Sequence, residues 1–332
     1  LGAHRVFLTT SCTHALELAL LALGIGPGQE VICPSFTFVS TANAVLRTGA
    51  RPVFADIEER TLGMDAADTA RRVTAATAAL LPVHYAGLAP DMAALLDLAR
   101  ARGLRVVEDA AQGLGASLDG RPLGTLGDAG SFSFHETKNI TCGEGGALAV
   151  RDRELAARAE IIREKGTNRS AFLRGEVDKY TWVAEGSSYV MSDILAAVLD
   201  AQLDRFDEIA ARRAAVAAAY RQRLADWASR HGVRLLSDPP GRRSNDHLFA
   251  LLFATGADRD RAMGFLREQG VQASFHYVPL HSSPFARGHG LYPGELPVTD
   301  RVAATLLRLP LHPVLSGEDV DWVVDCVQRS LS

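Results

Sequence analysis

Two almost continuous apolar runs, Ala78–Val83 and Leu104–Val107, constrain this chain most. Nearly continuous apolar runs of this length predict strands buried on both faces, as in a parallel sheet covered by helices. The intervening segments have helical texture. His14–Leu23 is rich in Ala and Leu and is stopped by Gly24 and Gly26, Phe38–Leu46 is closed by Gly49, and Asp91–Arg102 by Gly103. Shorter strand-like runs lie at Glu30–Cys33 before Pro34, at Pro52–Ala55, at Ala129–Phe134 and at Gly146–Val150. Strands alternating with helices of this length imply βαβ units, an α/β class and a mostly parallel or mixed sheet. Ligands of such sheets sit at the carboxyl ends of the strands, so the residues after 78–83, 104–107 and 129–134 are the first candidates for a site.

The texture changes after Asp152. Arg153–Lys165 is a charged helix, and 166–186 is a long polar and aromatic stretch without a period, expected to be a functional or disordered loop. Ser192–Arg230 is expected to be one long helix, with Leu199, Leu203, Phe206 and Ile209 at 3–4 spacing. From Val233 short elements alternate at His247–Phe253, Asp258–Gln269, Val271–Phe275 and Asp319–Leu331, the pattern of a smaller α+β unit. With 332 residues, 47% of them hydrophobic, two domains are expected, 1–205 and 206–332. A net charge of -4 without a basic run argues against a nucleic-acid partner. No apolar stretch is long enough to span a membrane. Cys12, Cys33, Cys142 and Cys326 show no C-x-x-C spacing, so a reducing, cytoplasmic protein is expected. His276, His281 and His289 lack compact ligand spacing, so no metal is expected.

The candidate chemistry lies at the predicted strand ends. Asp109, in Val107-Glu108-Asp109-Ala110-Ala111-Gln112, follows a buried strand, where a lone carboxylate needs a positive partner. Lys138, in Phe132-Ser133-Phe134-His135-Glu136-Thr137-Lys138-Asn139, follows the next strand and precedes the open backbone of Gly143-Glu144-Gly145-Gly146. Ser11, Cys12 and Thr13 stand directly before a helix, where hydroxyls and free N–H groups make an anion site. Phe36 and Phe38 precede another helix, and either could cover a ring. A lysine for a Schiff base, a carboxylate for a ring nitrogen, a phosphate cradle, a stacking aromatic and a polar group such as Gln112 for the ring oxygen are what pyridoxal 5'-phosphate (PLP) requires of a protein. Ser133 adds a hydroxyl beside the cradle. No G-x-G-x-x-G follows the first strand, which argues against a nicotinamide enzyme.

Taken together, Ser11-Cys12-Thr13-His14-Ala15-Leu16, Pro34-Ser35-Phe36-Thr37-Phe38, Val83-His84-Tyr85-Ala86-Gly87, the Asp109 segment and the Lys138 segment resemble the DegT/DnrJ/EryC1/StrS family of sugar aminotransferases over nearly the whole chain. The resemblance implies a fold-type I PLP enzyme, active as a homodimer, with L-glutamate as donor and 2-oxoglutarate as co-product. It implies that Lys138 is the Schiff-base lysine and proton carrier and that Asp109 pairs with the pyridine nitrogen. It likewise gives ring stacking to Phe38, phosphate contacts to Cys12, Thr13 and Ser133, and the ring-oxygen side to Gln112. Arg163-Glu164-Lys165-Gly166-Thr167-Asn168-Arg169-Ser170 and Asp178-Lys179-Tyr180-Thr181-Trp182 resemble the branch acting on dTDP-4-keto-6-deoxyglucose. Tyr85, His135 and His276 are further substrate candidates. Arg169, Arg174 and Lys179 are assigned by charge alone to the nucleotide diphosphate. Two features depart from the family. Val190 stands where an Asn often reaches the partner's cofactor phosphate, and the usual N-terminal segment is missing before Leu1. A 3-ketosugar aminotransferase and a PLP-binding regulator without turnover are the alternatives. A sugar dehydratase on this fold would carry His in place of Lys138.

Overall fold

The computed structural model describes residues 2–331. The apolar runs form one seven-stranded sheet. Arg105–Asp109 lies in the middle of it, parallel to Ala129–Ser133 on one side and to Thr77–Leu80 on the other. Glu30–Pro34 and Arg51–Ala55 continue the parallel set. Gly146–Val150 runs antiparallel beside Ala129–Ser133, and Arg5–Thr9 reverses again at the edge. Six of the seven strands therefore point the same way, and their carboxyl ends form one crest.

Period-two alternation sends neighbouring residues to opposite faces. Val107 joins Leu16, Leu18, Leu20, Val45 and Leu148 on one face, under the helices Cys12–Ala22, Val39–Arg47 and Arg153–Arg163. Val106 joins Ile32, Leu80, Met92 and Leu95 on the other, under the helix Met92–Arg102. Each fully buried leucine here contributes about 1.5–3 kcal/mol of transfer free energy. Asp91 starts that last helix by accepting the Ala94 N–H at 3.1 Å, and Gly103 ends it in the left-handed region at φ 67°.

The second part of the chain forms a smaller antiparallel sheet, Arg234–Leu235, Phe249–Leu252 and Leu306–Leu309 in that order. Helices Phe206–Arg230, Gly256–Glu268 and Gly317–Arg329 cover it and share a core of Val216, Tyr220, Leu224, Trp227, Phe249 and Leu307. Arg242–Arg243 pairs with Ser117–Leu118, which pairs in turn with Arg121–Pro122, a separate small sheet that ties this part back to the first.

Three expectations are corrected. The helix expected over 192–230 is broken into Asp193–Leu203 and Phe206–Arg230. The break lets Leu199 stay with Phe132 and Phe134 by the large sheet while Val216 and Tyr220 enter the core of the small one. The stretch 166–186 is not structureless, since it holds the short helix Arg169–Leu173 and a backbone bridge from Thr167 to Trp182. Val271–Phe275 forms no strand, only a single bridge from Ser274 to Arg308. Among the described residues no helix is long and apolar enough to cross a membrane, and the four cysteines are unbridged.

Gly146 opens its strand against the loop at Ser11 and Cys12. A Cβ there would fall 2.3 Å from the Ser11 carbonyl carbon and 2.4 Å from the Cys12 nitrogen, both backbone atoms. Gly146→Ala is expected to destabilise the protein by about 1–3 kcal/mol, the usual cost of overpacking. Thermal denaturation checks this, and an unchanged Tm would show that the loop does not lie against the strand.

Candidate active site

A cavity of about 1130 Å³ lies over the crest of the large sheet, with Leu309 and Arg308 of the small sheet on its far side. Asp109 ends the central strand and is buried. Its Oδ2 accepts from Thr41 Oγ1 at 2.8 Å and its Oδ1 from the Ala111 N–H at 3.1 Å. These bonds aim the carboxylate without neutralising it, and among the described residues no cation lies within ion-pair distance. A buried anion in that state calls for a positive partner from a ligand.

The preceding residue does the opposite job. Glu108 is fully buried on the other face and accepts from the N–H groups of Gly124, Leu126 and Gly127 at 2.9, 2.6 and 2.7 Å. His84 Nε2 sits 2.7 Å from Glu108 Oε2. Glu108 is therefore satisfied within the protein, whereas Asp109 has capacity left for a ligand.

Lys138 follows the strand Ala129–Ser133 through a turn held by its own N–H on the His135 carbonyl at 2.9 Å. It lines the same cavity as Asp109. Burial holds its amine below the ordinary value of 10.5, with Arg308 adding to the drop, while the negative charge of Asp109 pulls it back up. Cys12 itself is pushed up to about 12, by burial first and by Asp109 second, and so remains a neutral thiol.

Ser11 caps the helix Cys12–Ala22, its side chain accepting the His14 N–H at 3.1 Å. Cys12 and Thr13 begin the helix, where first-turn N–H groups lack intrahelical partners. Thr13 donates to Ser40 Oγ at 2.8 Å, and Ser133 stands across from this helix start on the cavity wall. Phe38 lines the cavity with 58% of its surface exposed, so its ring face is free for stacking. Gln112 accepts the Ala86 N–H at 2.7 Å and donates to Tyr277 OH at 3.1 Å, which fixes it at the cavity wall. An unneutralised carboxylate, a lysine held below its ordinary value, a helix N-terminus with hydroxyls and an open aromatic face fit PLP.

The substrate candidates divide. His135 and His276 line the cavity. Tyr85 lies fully buried beneath, its hydroxyl 3.1 Å from His276 Nδ1, and it supports the wall without forming it. Arg169, Arg174 and Lys179 do not line the cavity of their own chain. Arg174 instead pairs bidentately with Glu160 at 2.9 Å and with Glu176 at 2.8 Å. Positive charge in a loop carries no information about direction, and two neighbouring carboxylates claimed this one. Val190 is exposed and its backbone is bridged to Thr9.

Sequence reasoning missed Thr41, Tyr277, Arg308 and the pair of Asn139 with His247, whose facing atoms are 2.9 Å apart. Asn139 adjoins Lys138 and could have been found by that position. Arg308 and Tyr277 reach the cavity only through the packing of the second sheet.

Burial, reinforced by Arg308 and Lys138, pushes His276 down to about 3, and His247 is held well below 6.5 for the same first reason. The folded protein thus refuses protons that the unfolded chain accepts once pH falls below 6.5. Stability supplied by the neutral rings is complete above that value and is lost as pH falls from 6.5 toward 3. His276→Gln is expected to flatten the fall of the urea midpoint between pH 7 and pH 5; an unaltered slope would place His276 in solvent.

The chain matches the model of the DegT/DnrJ/EryC1/StrS aminotransferase family over residues 1–328. It is 36% identical to the spore coat polysaccharide biosynthesis protein SpsC of Bacillus subtilis (strain 168), covering 98% of this chain and 85% of that protein. Among solved structures it is similar to the aminotransferase TlmJ of Streptoalloteichus hindustanus, at 35% identity and a TM-score of 0.90 over 98% of this chain and 86% of that one. It is also similar to DesV of S. venezuelae, at 36% identity and a TM-score of 0.89 over 98% and 84%. The large mixed sheet flanked by helices is the fold-type I architecture of these enzymes. With its family, fold and cofactor-ready crest in agreement, the chain belongs to the DegT/DnrJ/EryC1/StrS aminotransferase family and is a PLP-dependent sugar aminotransferase.

Proposed function

We propose that this protein transfers an amino group from L-glutamate to C4 of dTDP-4-keto-6-deoxy-D-glucose, releasing 2-oxoglutarate and giving a dTDP-4-amino-4,6-dideoxyhexose. The observation that carries the amino-transfer chemistry is the meeting of Lys138, Asp109 and the Ser11–Thr13 helix start in one cavity. The choice of sugar is supported by the resemblance of 163–170 and 178–182 to the branch acting on that ketosugar.

Bound PLP supplies an electron sink and carries nitrogen from donor to acceptor. Asp109 would keep a proton on the ring nitrogen, and the Thr41 and Ala111 bonds hold it in place for that task. Lys138, held below its ordinary range by burial, would take a proton from the donor carbon in the first half of the reaction and deliver a proton to the sugar carbon in the second. Cys12, Thr13 and Ser133 would hold the phosphate at the helix start, and Phe38 would cover the ring. The dicarboxylate donor and the nucleotide-linked acceptor would take turns in the same cavity.

A homodimer belongs to this reading. Phe172, Leu173, Trp182, Val183, Ile194 and Val198 are exposed on the 166–203 segment, with Trp182 at 78% and Ile194 at 78%, an apolar surface unusual for a monomer. A second copy seated there could bring Arg169 or Lys179 to the partner's cavity. The division at 205/206 is part of the same proposal and is supported by the helix break at 204–205. A cytoplasmic setting is supported by the four unbridged thiols.

Adding PLP to the purified protein is expected to give visible absorbance that Lys138→Ala abolishes. Incubation with L-glutamate and dTDP-4-keto-6-deoxyglucose should then give a 4-amino sugar identifiable by NMR. Nitrogen found only at C3 of a 3-ketosugar, or on no sugar, would sink the assignment. Asp109→Asn is expected to lower kcat on the order of 10²-fold, the scale of losing one preorganised electrostatic group; steady-state kinetics on the folded variant checks it.

A further inference from the structure

We propose that His247 is a specificity-determining residue of the sugar site, its Nε2 accepting a hydrogen bond from the ring hydroxyl next to the carbon that receives nitrogen; this rests on the reading that the acceptor is a ketosugar. His247 stands just before the strand Phe249–Leu252 and lines the cavity over the crest. Its ring is held by a chain of amides whose ends are fixed by chemistry. Asn139 Nδ2 donates to the Asn245 carbonyl at 2.9 Å. A carbonyl takes only a donor, so the amide nitrogen must face Asn245 and Asn139 Oδ1 must face His247. That oxygen lies 2.9 Å from His247 Nδ1, which therefore carries the ring proton.

The chain is anchored at its far end. Asn245 Nδ2 donates to the carbonyls of Gln112 and Leu114, both at 2.8 Å, and Asn245 Oδ1 accepts the His247 N–H at 3.2 Å. Buried Arg213 holds the same backbone from the long helix, donating to the carbonyls of Asp246 at 3.1 Å and His247 at 2.6 Å. Gly87 lets Asn245 approach, since a Cβ there would lie 2.4 Å from Asn245 Oδ1. The imidazole thus has one tautomer and one orientation before any sugar arrives.

With the proton on Nδ1, Nε2 keeps its lone pair. Burial, reinforced by the positive charges of Lys138, Arg213 and Arg308, holds His247 well below 6.5, so no proton takes that lone pair at neutral pH. Nε2 has no hydrogen-bond partner among the described residues and is open to the cavity. A fixed acceptor selects donors. The cofactor phosphate, the carboxylates of the amino donor, the nucleotide diphosphate and the keto oxygen present only lone pairs, whereas a sugar hydroxyl presents O–H. Position selects the hydroxyl. Asn139, which locks the ring, directly follows Lys138, and Lys138 works at the reacting carbon. The hydroxyl beside that carbon, at C3 of a 4-ketosugar, is the one His247 would read.

The test uses the PLP-loaded protein as wild type, His247→Phe and His247→Gln, with two unreactive probes, dTDP-6-deoxy-D-glucose and its 3-deoxy counterpart. Calorimetry gives the affinity for each. Wild type is expected to bind the probe with the 3-hydroxyl about tenfold more tightly, the scale of one neutral hydrogen bond. His247→Phe keeps a ring without an acceptor and should bind the two probes alike, as a double-mutant cycle requires. His247→Gln keeps an acceptor oxygen and should restore part of the difference. The glutamate half-saturation, read from cofactor absorbance, should stay within about threefold of wild type in both variants, and retained cofactor colour reports folding. A wild type indifferent to the 3-hydroxyl overturns the proposal. So does a His247→Phe variant that still discriminates, a loss confined to glutamate, or a wild type that binds neither probe. Failure of the sugar assignment has a different signature, since wild type would then show the hydroxyl-dependent difference yet leave dTDP-4-keto-6-deoxyglucose without nitrogen.

Discussion

The site depends on the carboxylate of Glu108 being satisfied where water cannot reach it. Three backbone N–H groups and His84 converge on this one fully buried side chain. A buried carboxylate short of donors costs several kcal/mol, so the 124–127 loop and the His84 turn must both be in place for the central strand to sit as it does. Once Glu108 is locked on one face, strand alternation sends Asp109 to the other. The His84 N–H also bonds the Asp109 carbonyl at 3.0 Å, so the same turn fixes the backbone that carries Asp109. Two adjacent carboxylates thereby divide the work. One organises the crest, and the other is left open to the cavity.

The crest was legible in the sequence because its signals are local. Apolar runs mark strands, and the topological rule places function at their ends, so Asp109, Lys138 and Ser11–Thr13 could be named before any fold was known. Gly146 admits the helix start to the strand by lacking a Cβ, which the run Gly143-Glu144-Gly145-Gly146 already suggested. What could not be read is whatever depends on direction. Arg174 has the right charge for a diphosphate, yet Glu160 and Glu176 hold it away from the cavity. The apolar spacing from Leu199 to Ile209 is continuous and serves one core beside the large sheet, yet the helix breaks at 204–205, and only from Val216 does the second helix enter the core of the small sheet. Arg308 stands in an apolar run with no motif around it. Only the pairing of Phe249–Leu252 with Leu306–Leu309 brings it over the crest.

That contrast suggests how the two sheets share the reaction. The large sheet supplies the groups that fit PLP, from residues at the ends of the strands Arg5–Thr9, Glu30–Pro34, Arg105–Asp109 and Ala129–Ser133. The small sheet and the segment leading to it supply Arg308, His276 and Tyr277, which face the cavity from the opposite side. His276 and Tyr277 stack at 4.0 Å, and Gln112 ties Tyr277 to the crest at 3.1 Å, so the wall is rigid where it meets the cofactor side. Substitutions in this wall can alter which molecule fits without disturbing Asp109 or Lys138. On the reading proposed above, proton transfer belongs to the large sheet and substrate fit to the small one, a division that would let an aminotransferase family hold its chemistry constant while its substrates diverge.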